Sequence, residues 1–236
     1  MTPHTSTVLR AEQHQAGGPG RSSWLVPAAL VALGTVPVVA GSLRLADLSG
    51  AATGMPVDPR YDASPLPVVT HIVCATVFAI VGAFQFAPRL RQRRPAWHRR
   101  AGRVLVVAGL GVALSALWLN QFFPRAEASR EVLYPLRLAF GTAMVVTIVL
   151  GFRAARRRDF TRHRAWMIRS YAIGLVAGTQ VLTLGLGARI LGTHDVTTAL
   201  LMAFAWVVNL AVAERAIRTG PRRRRAPERS AQPASP

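Results

Sequence analysis

Six apolar runs separated by arginine clusters leave this chain few ways to fold. They occupy residues 24–43, 67–87, 104–122, 133–152, 167–188 and 196–213. Each is about 20 residues long, which as helix crosses roughly 30 Å of hydrocarbon. Strand-like alternation is absent, and backbone facing lipid cannot leave its polar groups unpaired, so helices are predicted rather than a barrel. The predicted fold class is all-α: a polytopic membrane protein with six transmembrane helices.

The charges orient these helices. The chain has a formal net charge of +19, and every cationic side chain is arginine. With the N-terminus placed in the cytoplasm, 23 of the 29 arginines fall on the inner side, in the first tail and at 89–103, 153–169 and 215–229. The outer side carries six arginines and six acids and is neutral. The positive-inside rule therefore predicts a multi-pass membrane protein with both termini cytoplasmic. In a soluble protein such charge would raise nucleic acid as a partner. Here no soluble domain is left to bind it, and the arginines read as orientation signal and contact with anionic lipid headgroups.

Residues 1–23 and 217–236 are polar and rich in Gly, Pro, Ser or Arg, so they read as disordered cytoplasmic tails around a six-helix domain at 24–216. Arg21, the first apolar run and Val38-Val39-Ala40 share elements with a signal peptide. The run is long for an h-region, however, and reads as a retained first helix. Cys74 is the only cysteine, which rules out an intramolecular disulfide or a CxxC pair and leaves a small apolar residue.

A weak internal repeat joins the middle four runs. Trp97-His98-Arg99 stands where the second run turns into the third, and His163-Arg164 with Trp166 stands where the fourth turns into the fifth. The two hairpins have the same orientation, which predicts a four-helix core from helices 2 to 5 with the first and sixth helices outside it. Gly174 and Gly178, and Gly109 and Gly111, provide small residues for close helix contact.

Four histidines lie outside the tails. His71 stands about one turn into the second helix from the outer face, and Ala87 at the inner end is 16 residues, roughly 24 Å, further on. His71 therefore cannot share an ion with His98 or His163. Those two begin the third and fifth helices from the inside, where they could face each other as the two axial ligands that six-coordinate haem iron requires. The arginines around them would favour neutral imidazoles, and Arg99, Arg103, Arg164 and Arg169 could pair with haem propionates. The plainer alternative is that both are polar residues at headgroup level. His71 has two readings as well, a cofactor contact or a hydrogen bond to a neighbouring helix. Asn120, Gln121, Arg137, Thr179 and Gln180 lie at similar depth and could line a polar pocket for a quinone-like headgroup, with Arg137 paired to Glu131 or a carbonyl. Glu214, near the inner end, is expected to be neutralised by Arg215 and Arg218. No carboxylate lies mid-membrane to couple protons or cations, and no phosphate loop, HExxH or Ser-His-Asp set is present.

His71, Gly82-Ala83-Phe84-Gln85-Phe86, Leu90-Arg91 and Trp97-His98-Arg99-Arg100-Ala101-Gly102-Arg103 resemble a family of bacterial predicted membrane proteins whose domain has no assigned function. His163-Arg164-Ala165-Trp166-Met167-Ile168-Arg169-Ser170-Tyr171, Trp206, Asn209-Leu210 and Ala213-Glu214 continue the resemblance, which spans residues 71–214. It implies a membrane protein and no activity. A looser similarity is to six-helix transmembrane di-haem cytochromes b, whose ligands pair helix two with four and three with five. His71, His98 and His163 fall on helices two, three and five, and helix four has no histidine, so this similarity implies at most one haem, on the inner side. The expectation is an integral inner-membrane protein with a b-type haem at His98 and His163, a redox or electron-transfer role, and a quinone or other membrane redox partner. The alternative is a non-enzymatic transporter-like or structural membrane protein that binds a lipid or small molecule.

Overall fold

The computed structural model describes residues 22–54, 61, 64–123, 127–192 and 194–220. Of the predicted tails, residues 1–21 and 221–236 lie outside the described residues. Eight helices run through the described part: α1 Ser22–Leu48, α2 Pro65–Gln85, α3 Pro88–Arg93, α4 Pro95–Phe122, α5 Glu127–Arg156, α6 Phe160–Gly174, α7 Val176–Leu191 and α8 Asp195–Arg218. Proline opens α2, α3 and α4, at a position where its missing N–H has no intrahelical partner to lose. The Asp159 carboxylate caps α6 by accepting the Arg162 N–H at 3.0 Å.

Five of these helices are long and apolar enough to cross a membrane, and α6 and α7, bent by 45° to each other, make a sixth where the pair counts as one span. The protein is thus an all-helical, multi-pass membrane protein. Val107, Leu114, Val149 and Val207 are exposed on its flanks, where a bilayer would cover them. Two helices begin well before their apolar runs, α4 at Pro95 and α6 at Phe160. Arginine is a good helix former, so the backbone ladder continues through the basic patches after hydropathy has ended. Those patches therefore sit on helices rather than in loops, and α3 adds a short helix between the second and third spans.

The bend in the fifth span has a side-chain cause. In an unbroken helix the Ala172 carbonyl would face the Val176 N–H. It accepts instead from Asn209 Nδ2 of α8 at 2.9 Å, and the Thr179 hydroxyl donates to Asn209 Oδ1 at 2.7 Å. Backbone groups loosened inside a membrane need such partners, and α8 supplies them.

The helices close into a ring. α1 packs on α2, α2 along α4, α4 on α5, α5 on α6 and α8, α8 on α7, and α7 back on α1. The core follows the expected helices 2 to 5 through Phe78, Leu105, Val112, Met144, Ile148, Tyr171 and Ile173. The sixth span also enters it, through the buried Trp206, because α7 bends away toward α1 and leaves the place beside α5 to α8. Where α7 meets α1, a Cβ on Gly178 would press against the Leu33 carbonyl, so only glycine permits that approach. Cys74 packs half-buried against Gly111 and is a free thiol.

Candidate functional site

The arginine-rich end of the bundle is built from two matching helix starts. Arg94 caps α4 and Asp159 caps α6. His98 and His163 are each the fourth residue after their cap, and each donates its backbone N–H to the cap carbonyl, at 3.2 Å and 2.9 Å. The repeat read from the motifs is therefore a repeat in helical register. His163, Arg91 and Arg99 all lie within electrostatic range of His98.

The two rings are held differently. His163 Nδ1–H donates to the Gly151 carbonyl of α5 at 2.9 Å, which leaves Nε2 as the free nitrogen. Gly151 makes that contact possible, since a Cβ there would collide with Met167 and crowd Trp166. His98 Nδ1 is buried and has no partner among the described residues, and neither has the amide nitrogen of Gln85 at the same end of α2. Gln85 was visible in the sequence only as part of a motif; nothing in its spacing marks it as an unpaired polar group. At the same end a groove of about 710 Å³ opens, lined by Arg91, Gln92, Arg158, Asp159, Phe160 and Thr161 and by neither histidine.

Of the four arginines expected to serve an anionic cofactor, two are committed to α8. Arg164 donates to the Ala216 carbonyl at 3.0 Å, and Arg169 forms a two-pronged ion pair with Glu214 at 2.5 Å and 3.0 Å while lying over the Trp166 ring. Glu214 is thus paired across helices by the forked Arg169 guanidinium, and Arg218, one of its two expected partners, acts on it electrostatically as well. Arg99 and Arg103 are exposed, with no ion-pair partner among the described residues.

The Arg169–Glu214 pair is testable by itself. Its side chains are 27% and 34% exposed, so solvent weakens it, and Glu214→Gln is expected to cost about 1 to 2 kcal/mol. Thermal unfolding of Glu214→Gln, Arg169→Gln and the double variant checks this: the double variant should lose less than the sum of the two, and strict additivity would mean that the pair contributes nothing.

His71 lies at the other end of the bundle. The Ser115 hydroxyl donates to the Gly111 carbonyl at 2.5 Å and accepts from His71 Nδ1–H at 3.1 Å, so His71 ties α2 to α4. His194 is exposed at the start of α8. The expected polar pocket is not one cluster. Asn120 donates to the Tyr134 carbonyl, the Tyr134 hydroxyl to Gln121, Thr179 to Asn209, and Gln180 to the Met202 carbonyl. Arg137 reaches neither Glu131 nor a carbonyl; it meets the Met202 sulfur at 3.9 Å. Its side chain turns inward between α5 and α8, away from its own helix. Among the described residues no group of three or more His, Cys, Asp or Glu side chains is placed to hold a metal ion.

Comparison with known proteins agrees with the motif resemblance. No curated protein and no solved structure matches the chain, so the likeness to six-helix cytochromes b rests on helix number and histidine placement alone. The family described as predicted membrane protein, DUF2306, matches residues 68–217. That stretch contains both histidine helix starts, the broken span and Glu214, and the chain belongs to this family of predicted membrane proteins.

Proposed function

We propose that the protein spans the bacterial inner membrane with both termini in the cytoplasm and holds a b-type haem between His98 and His163, in an electron-transfer role. The observation that carries this reading is the equal helical register of two histidines within electrostatic range of each other, one with its Nδ1–H tied to a carbonyl and its Nε2 without a partner among the described residues. The groups that support it are two imidazoles, a buried His98 Nδ1 with no partner among the described residues, and exposed Arg99 and Arg103 for propionates. Arg164 and Arg169 do not join them, since α8 already occupies both. When bound, the haem supplies one-electron chemistry that no side chain here can. The chain's own part is to fix the His163 ring through Gly151 and to present arginines at the cytoplasmic headgroup level, where anionic lipids and a quinone or other membrane redox partner would meet the site.

The full chain purified after expression with haem supplied tests this. A Soret band that shifts on reduction is expected, with about one haem per chain, as one histidine pair provides one six-coordinate site. A colourless, folded protein would remove the reading. The broken fifth span supports a second reading, a transporter-like bundle, because interrupted helices line many transport sites. Haem-free protein that takes up a labelled solute into vesicles would favour it.

A further inference from the structure

Arg137 is a charge within the spans that has no carboxylate partner among the described residues. It stands 16 residues from Arg153 along α5, about 24 Å, which puts it roughly one turn inside the far edge of the hydrocarbon layer. Its side chain is half-buried, its contact is the Met202 sulfur of α8 at 3.9 Å, and no carboxylate pairs with it among the described residues. A thioether is a weak acceptor, and a guanidinium at that depth ordinarily has a better one.

A second unmet donor lies one turn further along the same two helices. Phe140 of α5 and Trp206 of α8 stack with centroids 4.7 Å apart and planes within 5°. Trp206 is only 7% exposed, and its indole N–H is buried without an acceptor. Gln180 of α7 joins the same rung by donating to the Met202 carbonyl. Arg137 and the Trp206 indole N–H are thus two donors, one of them cationic, on successive turns of α5 and α8, neither with an oxygen acceptor among the described residues. Leu138 and Phe204 are exposed alongside, which suits an acyl chain more than a water-soluble ion.

We propose that α5, α7 and α8 form, at the end of the bundle away from the histidine pair, a site for an anionic amphiphile whose phosphate or carboxylate oxygen is held by Arg137 and Trp206. The site is independent of the haem reading, since it uses other side chains at the opposite end. The full chain in detergent is equilibrated separately with phosphatidylglycerol vesicles, phosphatidylcholine vesicles and oleate, and bound adducts are counted by native mass spectrometry. One retained adduct per chain is expected with phosphatidylglycerol if the source is a phospholipid, or with oleate if it is a fatty acid. Arg137→Gln should lower occupancy about tenfold and Trp206→Phe about fivefold, the sizes of a charged and a neutral hydrogen bond. Arg153→Gln removes the same charge at the basic end and should leave occupancy unchanged. Trp206→Phe keeps the ring stack, so it decides the matter should Arg137→Gln fail to fold. Equal retention of phosphatidylcholine, or wild-type retention by both variants, would overturn the proposal.

Discussion

Gly178→Leu is expected to be the most destabilising single substitution among the glycines that line helix contacts, at about 3 kcal/mol or more. The added Cβ would press on the Leu33 carbonyl, so backbone meets backbone and no rotamer change relieves it. The consequence reaches beyond one contact. α7 meets the rest of the bundle mainly through α1 and α8, and pushing it off α1 strains the Thr179–Asn209 bond that supports the bend. For a chain of this size such a loss lowers the thermal midpoint by roughly 6 to 12 °C. Gly185→Leu on the same helix is the control, because nothing lies within 4 Å of a Cβ there and the side chain would point outward. It should change stability by no more than about 0.5 kcal/mol. Equal midpoints for the two variants would mean that α1 and α7 do not pack as described.

Gly174 and Gly178 show how far the sequence could be read. Four-residue spacing marked both as helix-contact glycines, and both are: Gly174 faces Phe78 and Met144, and Gly178 faces α1. Spacing could not show that the helix carrying them is broken between the two. That break depends on Asn209, 37 residues from the carbonyl it satisfies, and hydropathy registers an apolar run, not the hydrogen bonds inside it. The six spans were legible because hydrocarbon thickness fixes the length of every run. Helix ends were not, because outside lipid the ladder of α4 and α6 continues on propensity alone. The same limit applies to charges. Arg169 and Glu214 are each explicable by near neighbours in sequence, yet they find each other across 45 residues. The matching helical register of His98 and His163 was readable because a repeat carries information beyond its own neighbours that a lone residue such as Arg137 or Trp206 lacks.

That repeat leads to the second large effect. On the proposed haem reading, His98→Ala and His163→Ala are each expected to lower haem occupancy or shift the Soret band of the haem that remains, since either removes one of two axial nitrogens. A headgroup-level role would leave the spectrum of both variants like that of wild type. A sharper discrimination comes from Gly151→Ala, which removes no ligand. The new methyl would displace the flexible end of Met167 and press on the Trp166 Cβ, three residues along α6 from His163, which disturbs the seat of the His163–Gly151 bond. Outer partners of ligating histidines matter by about 10- to 100-fold in affinity, so haem occupancy should fall by at least about tenfold while both histidines remain. The arginines supply the opposite control. Arg164→Gln should barely change occupancy, because its guanidinium is spent on the Ala216 carbonyl, whereas Arg99→Gln combined with Arg103→Gln should lower it. Melting curves recorded on each variant separate lost ligation from lost fold. If Arg164→Gln costs as much haem as the Arg99 and Arg103 pair, the site lies closer to α8 than the histidines allow, and their assignment as ligands fails.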